Sequence, residues 1–187
     1  MIMKILVVSD THLYNDTFHD ITEHFKNQVD LMVHCGDASL KVGDPLIKDY
    51  IYVKGNHDFD DFPYTVIKDD ILITHGHHYD VYAGYDELLK ACKDNNCILC
   101  LHGHTHIPTH QVIDGIHFVN PGSTMINRGA YGYGTFAIID KNGSDIDVHF
   151  LHHETYEECD DSILEDGLVM LEDFKQLVQE FNKKRKA

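Results

Sequence analysis

The feature that most constrains this chain is a repeated ending. Five short apolar runs stop at residues that bind metals. Residues 3–8 lead into Ser9-Asp10-Thr11-His12, and residues 31–33 into His34-Cys35-Gly36-Asp37. Residues 50–53 lead into Lys54-Gly55-Asn56-His57-Asp58, and residues 71–74 into His75-Gly76-His77. Residues 98–101 lead into His102-Gly103-His104-Thr105-His106. Each run is rich in β-branched and aliphatic side chains and reads as a buried strand. Ligands of open α/β sheets gather outside the carboxyl ends of strands. Five such ends with one chemistry therefore predict one shared site.

The remaining elements follow from periodicity. Residues 16–27 carry Phe18, Ile21, Thr22 and Phe25 at helical spacing, and residues 85–92 read as a second helix. Three hairpins are expected: 65–67 with 71–74 around Asp69-Asp70, 111–113 with 116–119 around Asp114-Gly115, and 135–139 with 146–151 around Lys141-Asn142-Gly143. A front half that alternates strand and helix, followed by a hairpin-rich back half, predicts an α/β fold of two stacked mixed β-sheets flanked by helices. Residues 1–159 are expected to form one domain. Residues 160–187 extend it with an amphipathic helix traced by Leu164, Leu168, Leu171, Phe174, Val178 and Phe181. Lys183 to Lys186 suit its C-terminal dipole. That helix caps a sheet or forms a subunit contact, which would make a homo-oligomer.

Composition excludes some partners. The net charge of -16 opposes a long nucleic acid, whose binding rests on many Lys and Arg contacts. No apolar run approaches the ~20 residues of a membrane span. The opening segment is too short for a secretory signal and runs directly into motif chemistry. The five cysteines are odd in number and scattered, which suits a cytoplasmic protein rather than a disulfide framework. Cys97 and Cys100 have zinc-knuckle spacing, yet in a strand a spacing of three sends side chains to opposite faces. They are expected to pack as small apolar thiols.

The ligand types define the chemistry. In extended chain, residues two apart face the same way, so Asp10 and His12 are expected to address one ion and His104 and His106 one pocket. Carboxylate, amide and imidazole donors together suit Mn, Fe, Ni or Zn rather than Ca or a thiolate zinc site. Among the sixteen histidines, His34 and His102 are expected to pack with hydrogen bonds, and His149, His152 and His153 to form a solvated patch. His77 is read either as facing substrate or as structural.

At these residues the sequence resembles the calcineurin-like metallophosphoesterases. The carriers are Asp10-x-His12, Gly36-Asp37, Gly55-Asn56-His57-Asp58, His75-Gly76-His77 and Gly103-His104-Thr105-His106, in that order. The compact length and Asn120-Pro121-Gly122-Ser123 resemble the small bacterial and archaeal phosphodiesterase branch. The resemblance implies a four-layer sandwich that uses two divalent metal ions, manganese first, with nickel, iron or zinc as alternatives. It implies that Asp10, His12 and His106 hold one ion, that Asn56, His75 and His104 hold the other, and that Asp37 bridges them. A bridging water would attack phosphorus, His57 would protonate the leaving oxygen, and Asp58 would orient His57. A small phosphodiester is the substrate expected. A phosphomonoesterase, or a binding scaffold of the kind found in a trafficking-coat subunit, is the alternative; scaffolds of this fold lack the catalytic histidine, and His57 is present here. Two departures stand out. Leu13 replaces a glycine frequent in relatives, and Lys54 and Asp58 stand where phosphoprotein phosphatases have Arg and Glu.

Overall fold

The computed structural model describes residues 2–125, 127–128 and 131–186. Ten strands form two mixed five-stranded sheets. The first sheet contains β1 (Met3–Val8), β2 (Leu31–His34), β3 (Tyr50–Tyr52), β9 (Thr135–Asn142) and β10 (Asp145–His152), in the order β10-β9-β1-β2-β3. The second contains β4 (Thr65–Lys68), β5 (Ile71–Thr74), β6 (Leu99–Leu101), β7 (Thr109–Ile113) and β8 (Ile116–Asn120), in the order β4-β5-β6-β8-β7. In the first sheet the parallel strands β1, β2 and β3 reach one rim and the antiparallel hairpin β9–β10 forms the other; in the second, the parallel strands β5, β6 and β8 lie at the centre with antiparallel β4 and β7 at the rims.

The alternation of inward and outward side chains makes the layers. Ile5, Val7, Val33, Ile71, Ile73, Leu99, Leu101, Val119, Ala137 and Ile139 meet between the sheets in one buried cluster. Their neighbours Leu6, Val8, Met32, Phe136 and Ile138 face outward under α1 (Asn15–Phe25), which lays Phe18 and Ile21 on them. On the far side, Leu72, Cys100 and Phe118 are covered by Leu88 and Cys92 of α2 (Asp86–Asp94). Asp16 in α1 and Asp86 and Glu87 in α2 place negative charge in the first helical turn, where the helix dipole favours it. Each fully buried Val, Leu or Ile contributes roughly 1.5–3 kcal/mol relative to exposure, so the three clusters dominate the stability.

At the end where β1 begins, Lys141 ties the two sheets together. It extends β9 beyond the expected strand end, and its ammonium, largely buried, pairs with Asp70 of the β4–β5 turn at 2.8 Å. The chain's last described element is α3 (Ser162–Lys186), which packs against β7. Its first turn is anchored by Ile163 in the inter-sheet cluster and by the Tyr131 hydroxyl, which donates to the Ile163 carbonyl at 2.6 Å.

Candidate metal centre

Register explains why distant segments converge. Val8, His34 and Tyr52 lie side by side in β1, β2 and β3, so Asp10, Asp37 and Asn56 leave the first sheet at one level. Ile73, Leu101 and Val119 are likewise level in β5, β6 and β8, so His75, His104 and Asn120 leave the second sheet together. Backbone bonds continue across the tips: Asp10 N–H to the Gly36 carbonyl at 3.0 Å, His12 N–H to Asp37 at 2.7 Å, and Gly103 N–H to His75 at 3.0 Å.

The side chains meet in one hollow. Asp10, His12 and His106 each offer a ligand atom within 4.8 Å of the others, and so do Asp10, Asp37 and His75. His106 Nε2 is 3.2 Å from Asp10 Oδ1, and His75 Nε2 is 3.3 Å from Asp37 Oδ2. Asn56 Oδ1 is 3.1 Å from His75 Nε2, and the His104 ring stands edge-on to the His75 ring at 5.1 Å. Two details fit a cation. Asp10 Oδ1 is buried and accepts no hydrogen bond, which is costly for a carboxylate oxygen. The Nε2 atoms of His12 and His106 converge at 3.2 Å beside that oxygen, where both would turn their lone pairs on one cation. His57 is exposed at the mouth, its ring 5.4 Å from that of His12.

The reason for the Asp-x-His and His-x-His spacing differs from the extended-chain expectation. Asp10, His12, Asp37, His104 and His106 all have positive φ, from 51° to 72°. Outside glycine this region costs roughly 1–2 kcal/mol per residue for an L side chain. Sharp left-handed turns, rather than strand alternation, aim these groups into the hollow. The neighbouring backbone approaches closely as well. A Cβ on Gly103 would lie 2.0 Å from Ser9 Oγ and 2.6 Å from Asp10 Oδ2, and one on Gly55 would lie 2.0 Å from Asp37 Oδ1.

The charges divide unevenly. Burial pushes the Asp10 carboxyl up, but His75, His106 and the Ser9 hydroxyl outweigh it and hold it below the usual carboxylate range. Asp37 is lowered in the same way, burial being overcome by His75. Burial works against a proton on His75, yet Asp10 and Asp37 raise it to about 9. Burial and the neighbouring His75 lower His104 to about 4, and burial also lowers His12. The metal-free site thus holds two carboxylates around one imidazolium, with neutral imidazoles beside them. A cation would replace the positive charge that the His75 proton supplies.

Asp58 departs from its expected role. Its oxygens accept from the backbone N–H groups of Asp37 (2.9 Å), Ser39 (2.9 Å) and Gly55 (2.8 Å) and from the Tyr52 hydroxyl (2.8 Å), and none of these donors is the His57 ring. It organises the two loops that carry Asp37 and Asn56. Sequence reasoning missed the groups beneath the hollow. Ser9 Oγ donates to Asp10 Oδ2 at 2.6 Å, Ser123 Oγ donates to the Asp10 carbonyl at 2.7 Å, and Asn120 Nδ2 donates to the Gly103 carbonyl at 2.9 Å. The Asn-Pro-Gly-Ser stretch was the available signal for the last two.

The other expected roles resolve simply. His34 is fully buried, accepts from Gly36 N–H and stacks on Tyr52; His102 is buried against the Tyr85 hydroxyl. The solvated patch is corrected: His153 accepts from Gly134 N–H, His152 stacks on Tyr133, and His149 pairs with Glu158. Cys97 precedes β6 and joins Cys100 and Cys92 in the same apolar cluster under α2, so the thiols pack as expected although not on opposite faces. His77 abuts the His75 ring at 5.3 Å, with Nδ1 buried and unpaired. No helix among the described residues is long and apolar enough to cross a membrane.

Known proteins are similar to this chain in sequence and fold. A family model described as the calcineurin-like phosphoesterase superfamily domain matches residues 3–144. The probable metallophosphoesterase YsnB of Bacillus subtilis is 32% identical over 131 residues, covering 67% of this chain and 78% of that protein. The phosphodiesterase MJ0936 of Methanocaldococcus jannaschii is 30% identical over 144 residues, covering 64% and 83%. A solved structure from Streptococcus pneumoniae, described as a conserved uncharacterized protein and predicted phosphoesterase, superposes with a TM-score of 0.81 at 28% identity, covering 86% of this chain and 95% of that one. With the fold, the Asp–His hollow and these matches in agreement, the chain belongs to the calcineurin-like phosphoesterase superfamily.

Proposed function

We propose that this chain hydrolyses small phosphodiesters with the help of two divalent cations. Manganese comes first among the ions its donors suit, with nickel, iron or zinc as alternatives. The observation that carries the reading is the buried pair Asp10 and Asp37 converging on His75, with His12 and His106 within ligand distance of Asp10 on its other side. Asp10, His12 and His106 would hold one cation and Asn56, His75 and His104 the other, with Asp37 between them. Bound there, the cations supply positive charge to the phosphoryl oxygens and acidity to a water.

The chain's own residues do the rest. His57 stands at the mouth, and its backbone N–H donates to Asp37 Oδ1 at 2.7 Å, so its loop is pinned to a ligand carboxylate. From there the imidazole gives a proton to the leaving oxygen, a role that contributes ~10²–10⁴-fold. Asp58 acts by holding that loop rather than by touching the reaction. Residues 1–159 form the catalytic unit in this reading and residues 160–187 an added helix. A small diester is favoured over a polymer because a net charge of -16 repels a long polyanion. The phosphodiesterase among the relatives favours a diester over a monoester. Five free cysteines suit a cytoplasmic setting.

The test is elemental analysis of the purified protein, with diester and monoester model substrates assayed with added manganese, before and after chelation. Bound metal and faster diester turnover, lost on chelation and reduced about a hundredfold or more, on the order of the general-acid effect, in His57→Ala, are expected. Faster monoester turnover overturns the substrate class. A His57→Ala protein as active as wild type overturns the proton donor.

A further inference from the structure

Arg128 sits beside the metal hollow, and nothing above uses it. Its backbone N–H donates to the His106 carbonyl at 2.9 Å. Its exposed guanidinium packs over the Tyr82 ring, 5.7 Å from the centroid, and over the Phe174 ring at 6.0 Å, and Nη1 donates to the Tyr82 hydroxyl. Tyr82 donates in turn to the His104 carbonyl at 3.1 Å and lays its ring edge-on to the His104 ring at 5.1 Å. Arg128 is therefore tied to the backbones of two proposed ligands, one directly and one through Tyr82. Phe174 comes from α3 and also meets the Tyr82 ring, at 5.1 Å.

Two facts make this more than a packing contact. A guanidinium has five N–H donors in a planar fork, and Tyr82 takes one of them. In a chain with 31 acidic residues, no described carboxylate pairs with Arg128. A tack that only fastened α3 to the body would serve equally well with its charge neutralised. The observed arrangement fixes the side chain by its faces and leaves its edge for an anion. That edge matches two oxygens of a phosphate group.

We propose that Arg128 binds a non-bridging oxygen of the substrate phosphate, and that Phe174 of the C-terminal helix is a positioning residue that holds Arg128 and Tyr82 at the lip. The inference rests on the phosphoesterase reading. It makes α3 part of the site's architecture rather than an appendage.

The experiment measures KM, kcat and competitive inhibition by inorganic phosphate with a model diester in manganese, alongside metal content, for wild type, Arg128→Gln, Arg128→Lys, Phe174→Leu and the double variant Arg128→Gln/Phe174→Leu. Arg128→Gln is expected to raise KM and the phosphate inhibition constant together by about tenfold, roughly one charge-assisted bond, with metal content unchanged. Arg128→Lys keeps the charge without the fork and falls between. Phe174→Leu keeps apolar packing and removes the ring; about a threefold rise is expected, as for a cation–π contact. The double variant should match Arg128→Gln alone, because Phe174 acts only through Arg128. An active wild type whose phosphate inhibition is unchanged by Arg128→Gln overturns this inference alone. Additive effects in the double variant overturn the positioning role of Phe174. A wild type that neither binds metal nor hydrolyses esters overturns the reading beneath it, and this inference with it.

Discussion

Two regions of this molecule bring imidazoles within hydrogen-bonding distance, and they differ in what lies between. In the hollow, His12 and His106 face each other at 3.2 Å beside the buried Asp10 carboxylate. In the β7–β8 hairpin, His110 Nε2 and His117 Nδ1 meet at 2.9 Å, with their rings stacked at an interplanar angle of 25°. The hairpin pair completes its own donor–acceptor bond and lies half-buried on a regular ladder. The hollow pair sits on left-handed turns, next to a carboxylate oxygen that accepts nothing. Imidazoles alone therefore do not make a metal site here. A buried carboxylate that turns one oxygen, without a hydrogen bond, toward the imidazoles and is held against its own backbone preference does.

The comparison breaks most easily at Asp10. Asp10→Asn keeps the shape and removes the charge shared by both ligand groups. We expect loss of bound metal and roughly 10³-fold or greater loss of turnover, the scale of several kcal/mol of lost electrostatic stabilisation. His117→Gln should change neither. Metal analysis and turnover on both variants check this, and a fully metallated, active Asp10→Asn protein would refute the distinction. The next largest effect is expected at the backbone. Gly103→Ala drives a methyl into Ser9 Oγ and Asp10 Oδ2. A cost of about 1–3 kcal/mol, typical of overpacking, is expected in denaturant unfolding of the metal-free protein. Metal affinity should fall with it. Unchanged stability would mean that the tips yield freely and that the left-handed turns are not held under tension.

Much of this was legible in the sequence because strands advertise themselves locally. The apolar runs ending at Val8, Leu101 and Thr74 are short, aliphatic and bounded by polar residues, so both strand and site followed from one pattern. What stayed hidden depends on contacts far apart in the chain. The positive φ of His12 and His104 is imposed by bonds to Asp37 and Asp10 across the tips, and no local propensity reports it. Asp58 stands beside His57 in sequence, yet the geometry hands its oxygens to Asp37, Ser39, Gly55 and Tyr52. The alliance of Arg128 with Tyr82 and Phe174 joins residues 46 positions apart in each direction; the place of Arg128 after Asn120-Pro121-Gly122-Ser123 reads equally as a contact for substrate phosphate or as a structural ion pair, and Phe174 reads as one apolar position of the terminal helix.

The smallest expected effect sharpens the comparison from the hairpin side. Burial lowers His110 below its ordinary value, the neighbouring His117 adds to this, and Asp147 partly opposes it; burial also lowers His117. Both groups therefore bind protons more readily in the unfolded chain than in the folded one. Their contribution to stability is complete above an unfolded value near 6.5 and declines as pH falls below it, because the unfolded state then takes up the extra protons. His34 and His102, each lowered to about 4 chiefly by burial, push in the same direction, so the hairpin's share must be isolated by difference. Denaturant midpoints of metal-free wild type and His110→Gln/His117→Gln, measured from pH 7.5 to 5.5, supply that difference. The acid-side decline should be shallower in the variant, and no metal should be lost from the loaded protein. An equal decline in both would mean that the stacked pair stays as easily protonated folded as unfolded, and the contrast with the carboxylate-lined hollow would then rest on Asp10 alone.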